Sequence, residues 1–322
     1  MEKEYDVVAL GELLVDMIGT GESGYGNPVF EANPGGAPCN VLAMLQKLGR
    51  KTAFIGKVGR DMFGRRLRSE IVSCGIDDKG LLEDETVPTT LAFVHKLENG
   101  DRDFSFYRSP GADVMLKEEE VDLSLIRSSR IFHFGSLSLT DEPSRSATRR
   151  AIEEAEKAGT LRSYDPNLRM PLWHGEEEAK EQILWGMKHC DILKIADNEI
   201  LWLTGGKEYD DGIRILQKEY AIPLIALTLG AEGSRIYYRN ERICIPAFPQ
   251  KTVDTTGAGD TYCGCLLNGI LEHGLNELDE ETIRSFGTFA SAAAAIVTTR
   301  KGALKSMPDV DSIRILVNKS RD

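Results

Sequence analysis

The sequence predicts an α/β protein: a mostly parallel sheet with helices on both faces. Three observations carry this. Short apolar runs of strand length recur at Tyr5 to Leu10, Thr52 to Val58, Arg130 to Gly135, Leu161 to Tyr164, Asp191 to Ile195 and Leu224 to Leu229. Runs with helical periodicity alternate with them. No linker, repeat or low-complexity stretch interrupts the alternation, so residues 1–322 are expected to form a single domain. The composition, 41% hydrophobic and 28% charged, is that of a water-soluble globular chain. A net charge of −12 excludes the broad basic face that a nucleic-acid partner needs. No apolar run approaches the ~20 residues of a membrane span. The start, Met-Glu-Lys-Glu-Tyr-Asp, has no signal-peptide pattern, and the six cysteines form no Cys-x-x-Cys pair. A cytoplasmic location with reduced thiols is the expectation.

Each element can be justified in chain order. Tyr5 to Leu10 runs into Gly11-Glu12-Leu13-Leu14-Val15-Asp16. Gly19-Thr20-Gly21-Glu22-Ser23-Gly24 matches Gly-x-Gly-x-x-Gly, but Asn27-Pro28 and Pro34 follow where a dinucleotide site needs a helix. Pro34-Gly35-Gly36-Ala37-Pro38-Cys39-Asn40 opens a helix with proline in its first turn, ended by Gly49. Gly35 and Gly36 suit a close approach to backbone, by a ligand or within a cap. After the strand Thr52 to Val58, Gly59 to Gly64 turns into a helix reaching Cys74. Thr89 to Lys96 and Asp103 to Arg108 alternate around Asn99-Gly100, a tight-hairpin signal. Ser144 to Ala158 is an amphipathic helix. Leu161 to Tyr164 delivers Asp165-Pro166-Asn167-Leu168-Arg169 at its C-terminal end, the edge where open α/β sheets bind ligands. Asp165 and Asn167 read as turn-shaping residues. The acidic run 176–181 and Gln217 to Tyr220 read as solvated helix faces. Leu224 to Leu229 leads through Gly230-Ala231-Glu232-Gly233 into the strand Ser234 to Tyr238. Glu280 to Thr299 is a long alanine-rich helix, and the five histidines lack metal-ligand spacing.

The most informative stretch is Val253-Asp254-Thr255-Thr256-Gly257-Ala258-Gly259-Asp260, followed by the helical run Thr261 to His273. Small residues before a helix start present free N–H groups and the positive end of the helix dipole to an anion. Phosphate binding gains nothing from a carboxylate in that first turn, whereas phosphoryl transfer can use one as a base. An acid favoured only by the dipole is the competing reading for Asp260.

Asp-Thr-Thr-Gly-Ala-Gly-Asp resembles the signature of the ribokinase/fructokinase family of sugar kinases, closest to bacterial fructokinases. The Gly-Gly of 35–36, Asp-Pro-Asn-x-Arg at 165–169, and Thr228-x-Gly230-x-x-Gly233 resemble its other motifs, in the same order. The resemblance implies a ribokinase-like fold with a small β lid made from residues 12–33 and 88–109. It implies ATP and Mg2+ as co-substrate and ion, with Asp260 as catalytic base and Gly257, Ala258 and Gly259 as the anion hole. The sugar contacts it implies are Asp16, Gly36, Asn40 and Arg169, with Arg108 a candidate. Nucleotide falls to Thr228, Gly230 and Gly233, and water-mediated magnesium to Glu199, although Ala196 stands where the family often has Asn. A K+ ion would rest on Asp254, Thr256, Gly302 and Ser306. Fructose is the first expected acceptor. 2-keto-3-deoxygluconate is the rival, its carboxylate suiting Arg108 and Arg169 as a clamp, and a sugar sensor without turnover is the alternative of another class. A homodimer through the lid is a further implication.

Overall fold

The computed structural model describes residues 3–96, 102–206 and 208–320, so the hairpin turn expected at Asn99-Gly100 lies outside the described residues. The strands are β1 (Tyr5–Leu10), β2 (Leu14–Glu22), β3 (Pro28–Gly35), β4 (Thr52–Gly59), β5 (Asp77–Asp84), β6 (Leu91–Lys96), β7 (Arg102–Tyr107), β8 (Ser129–Gly135), β9 (Leu161–Asp165), β10 (Ile192–Ala196), β11 (Leu224–Thr228), β12 (Ser234–Tyr238) and β13 (Glu241–Ile245). One nine-stranded sheet has the order β13-β12-β11-β10-β9-β8-β1-β4-β5. From β11 to β5 every neighbour is parallel, and β12 and β13 add an antiparallel edge.

Side chains alternate across a strand, so the sheet separates two cores. Val7 and Ala9 of β1 join Ile131 and Ile192 on one side, under the helices Ala37–Lys47, Ala258–His273 and Glu280–Val297. Tyr5, Val8 and Leu10 join Phe132, Phe134, Leu193 and Ile195 on the other, under Ser144–Lys157, Glu176–Lys188 and Tyr209–Tyr220. The helix Ala258–His273 is wedged between two others. A Cβ at Gly264 would come within 2.9 Å of Met44, and one at Gly269 within 2.5 Å of Phe286. Those two glycines set how deeply this helix sinks, and therefore where its first turn meets the sheet.

The remaining strands form a second, four-stranded sheet in the order β3-β2-β6-β7. This is the expected lid, built from two separate stretches of chain. Its register sorts the faces: Asp16 pairs with Ala92 and Ala92 with Phe106, whereas Met17 pairs with Phe93 and Leu91 with Tyr107. Asp16 and Phe106 therefore share one face, and Phe93 and Tyr107 the other.

The sequence reading did not anticipate β5, β13 or the helix Val310–Lys319. Both strands close the edges of the large sheet, and β5 (Asp-Asp-Lys-Gly-Leu-Leu-Glu-Asp) buries only Gly80 and Leu81. Charge on an edge strand discourages pairing with another chain, and it also erases the apolar alternation that would betray a strand.

Candidate active site

The C-terminal ends of β1, β9, β10 and β11 open onto one cleft of about 1020 Å3, roofed by the lid face that carries Asp16 and Phe106. Of the residues expected to bind, Asp16, Gly36, Asn40, Arg169, Thr228, Gly230, Asp254, Thr256, Gly257, Gly259 and Asp260 line it. They come from stretches more than 200 residues apart, which the parallel sheet brings to one rim.

The glycine turn expected to receive phosphate stands directly before a helix, as its spacing predicts. Gly257 takes φ 79°, ψ 0° immediately before the helix Ala258–His273, a left-handed conformation that favours glycine. Space there is also short, since a Cβ on Gly257 would lie 2.6 Å from that of Ala303. Asp254 braces the turn: its carboxylate accepts from the Thr256 N–H at 2.8 Å and the Gly302 N–H at 3.2 Å. Ser306 donates to the Gly302 carbonyl at 2.7 Å. The four residues expected around a monovalent ion are therefore drawn into one cluster. Ala258 corrects the expected anion hole. Its N–H donates to the Thr255 carbonyl at 3.2 Å, so the turn offers the cleft Gly257 and Gly259 rather than three consecutive donors.

Asp260 is half-buried in the cleft wall and accepts a 2.8 Å hydrogen bond from Asn40 Nδ2. Burial, reinforced by the nearby Asp165 carboxylate, pushes its pKa up to about 6, against the opposing pull of Asn40, Lys194 and Arg169. At neutral pH it is ionised yet far more basic than an exposed aspartate. That is the compromise a general base requires.

Gly35 and Gly36 serve a purpose other than ligand approach. A Cβ on Gly35 would collide with the Asp16 carboxylate, and one on Gly36, at φ 122°, with the Glu12 carbonyl. The glycines admit parts of the protein itself. Glu12 then caps the helix that Gly36 cannot: its carboxylate accepts from the Ala37 N–H at 2.8 Å. Burial pushes the Glu12 pKa up to about 7.

Several expected contacts are corrected. Arg108 does not line this cleft. Its side chain is 2% exposed and paired with the equally buried Asp113 at 2.6 Å. It also donates to Thr140 Oγ1 at 2.9 Å and the Leu137 carbonyl at 2.8 Å, while Thr90 donates to the other Asp113 oxygen. Arg108 thus fastens the end of β7 to the large domain sheet's loops, and the expected pair with Arg169 does not form. Glu199 also sits behind the cleft. Its carboxylate accepts from the Leu168 N–H at 2.7 Å and the Ala196 N–H at 2.8 Å, anchoring the loop that carries Arg169. Glu199 is not among the residues that line the cleft. Gly233, at φ 97°, makes the turn into β12 because a Cβ would strike the Ile245 carbonyl. Asn167, at φ 48°, shapes its turn as expected. Asp165 does not, pairing instead with Lys194 at 3.0 Å beneath the cleft.

Lys194 is the cleft residue that sequence reasoning missed. The available signal was one lysine inside the apolar run Asp191-Ile192-Leu193-Lys194-Ile195, at the ligand-binding end of a parallel strand.

Comparison with known proteins agrees with this geometry. The model of the pfkB family carbohydrate kinases matches residues 5–310. The chain is 43% identical over 314 residues to a probable fructokinase-2 of Arabidopsis thaliana, covering 96% of this chain and 95% of that protein. Its fold matches a fructokinase of Xylella fastidiosa with bound ATP at a TM-score of 0.90 and 29% identity, each chain covered over 100% of its length. It matches a fructokinase of Vibrio cholerae O395 holding fructose, ADP and a calcium ion at 0.88 and 30%, covering 97% of this chain and 99% of that one. Matched over nearly its whole length, with a glycine turn and a half-buried aspartate at the start of one helix, the chain belongs to the pfkB family of carbohydrate kinases.

Proposed function

We propose that this protein transfers the γ-phosphoryl group of MgATP to the primary hydroxyl of fructose, giving fructose 6-phosphate. The observation that carries the reading is Asp260: a carboxylate of pKa about 6, held by Asn40 at the start of a helix and open to a cleft roofed by Asp16. The sugar lies beneath the lid, against Asp16, Gly36, Asn40 and Arg169. Asn40 lines the cleft beside Asp260, where it can meet the sugar. Asp260 takes the proton of the acceptor hydroxyl as its oxygen attacks the γ-phosphorus in line. The backbone N–H groups of Gly257 and Gly259, with the helix dipole behind them, meet the charge that develops on the phosphoryl oxygens. Nucleotide runs along Thr228 and Gly230. Among the described residues no group of three or more His, Cys, Asp or Glu could cage an ion. Magnesium would accompany the nucleotide's phosphates and shield their charge.

Burial of Arg108 weighs against the keto-acid rival, since the arginine clamp a carboxylate would use is not in the cleft. Two narrower readings have local support. The cluster of Asp254, Thr256, Gly302 and Ser306 suits a bound K+ that stiffens the turn, testable by replacing potassium with tetramethylammonium. The lid face opposite the cleft exposes Phe30 at 37% and Tyr107 at 68%, an apolar patch suited to a second copy and testable by sedimentation.

A coupled ADP-release assay over fructose, 2-keto-3-deoxygluconate, ribose, glucose and adenosine tests the main reading. Turnover confined to fructose supports it. Turnover on the keto acid moves the substrate and keeps the mechanism. Binding without turnover on any sugar makes the protein a sensor.

A further inference from the structure

We propose that Lys194 is a catalytic residue whose ammonium contacts the transferring phosphoryl group and, with the N–H groups of Gly257 and Gly259, forms the anion hole. This rests on the kinase reading above. Lys194 stands on β10 with its side chain almost fully buried, yet it lines the cleft. Its Nζ is pressed against the start of the helix Ala258–His273, where a Cβ on Gly259 would lie only 2.9 Å from it. Gly259 is not in a left-handed conformation, so the backbone alone does not demand glycine. The lysine head group does. The small residue brings a full positive charge into contact with the turn that receives the phosphate. The anion hole thereby replaces the donor lost to the Ala258–Thr255 hydrogen bond with a stronger one.

The surroundings keep that charge in place. Burial alone would favour the neutral amine, but Asp165 at 3.0 Å, with Glu199 and Asp260 nearby, outweighs it and holds the Lys194 pKa above the ordinary lysine value. Lys194 therefore stays protonated throughout. The acceptor oxygen–phosphorus bond forms, the bond from phosphorus to the β–γ bridging oxygen breaks, and the hydroxyl proton goes to Asp260. Lys194 neither gives nor takes a proton. It compensates charge where a water-excluded site makes compensation most effective. Asp165 acts through Lys194 and is a positioning residue.

The competing role is purely structural. Asp165 is buried, its oxygens have no other hydrogen-bond partner among the described residues, and Lys194 could exist only to neutralise it. A double variant separates the two. Lys194→Gln is expected to lower kcat roughly 10²–10³-fold with fructose affinity by calorimetry unchanged. Lys194→Gln with Asp165→Asn removes both buried charges, and is expected to fold but to stay as slow as the single variant. In wild type with fructose present, ADP with aluminium fluoride, a mimic of the transferring phosphoryl group, should bind at least tenfold tighter than ADP alone. Both variants should lose most of that gain. Recovery of wild-type kcat in the double variant overturns the proposal, as does an undiminished gain for aluminium fluoride or an effect confined to the KM for ATP. Wild-type protein inactive on every sugar would instead overturn the kinase reading itself.

Discussion

Two buried charge clusters can be compared in this fold, one at the root of the lid and one beside the cleft, and each sets one basic side chain against buried carboxylate. At the lid root Arg108 and Asp113 are both 2% exposed and satisfy each other, with Thr90, Thr140 and the Leu137 carbonyl completing the set. Beside the cleft Lys194 pairs with Asp165 and lies near Glu199 and Asp260, and burial raises the pKa of both of the latter, that of Asp260 to about 6. The first cluster is electrically closed and can only hold structure together. The second carries more carboxylate than cation, and burial together with the Asp165 charge makes Asp260 basic. What separates the two clusters is the number of carboxylates set against each cation, one at the lid root and three beside the cleft.

The difference can be tested from its strongest consequence to its weakest. Asp260→Asn should lower kcat by about three orders of magnitude while calorimetry still registers sugar binding. Near-normal turnover would remove the cleft floor from the chemistry. Arg108→Met leaves Asp113 buried and uncompensated, which should cost about 3–5 kcal/mol in denaturant unfolding. A raised sugar KM with unchanged stability would show instead that Arg108 is a substrate contact. For Asp260 the protonated form is inactive, so kcat/KM should fall as pH drops through about 6. Asn40→Ala removes a hydrogen bond that favours the charged form, so this acid limb should move to higher pH; a shift the other way would contradict the assignment. The smallest effect belongs to Gly35→Ala, whose new methyl displaces the Asp16 carboxylate. The fructose KM should rise roughly tenfold, equivalent to about 1.4 kcal/mol, with kcat nearly unchanged.

Legibility in the sequence follows the same division. Features set by neighbours along the chain were readable. The small-residue turn before a helix, the strand ends that carry Asp165 and Thr228, and the turn at Asn167 all rest on local rules. The two stretches that form the lid came from the family resemblance, with local alternation supporting only the hairpin of 89–108. Features set across the fold were not readable. Nothing beside Arg108 in the sequence shows that Thr140 and Leu137 will surround it, and a buried structural arginine looks like a cleft arginine until both are packed. Glu199 stands in the first turn of the helix Asp197–Thr204, and its two backbone partners come from a folded loop as well as its own turn. Gly35 and Gly36 advertised close approach without saying what approaches. Lys194 went unnoticed because its role depends on Gly259, 65 positions away in the numbering.

The lid's construction from two separate stretches, 14–35 and 91–107, has a consequence for anyone who would rebuild this protein. Chain passes between lid and body four times, near residues 10–14, 35–37, 84–91 and 107–112. The lid is therefore not a cassette. It cannot be deleted, transplanted or exchanged between relatives as a single insert, because β2 and β6 pair with each other only when both stretches travel together. A chimera that swaps one stretch would mix two pairing registers within one sheet. Modularity in this molecule lies at the level of the paired stretches.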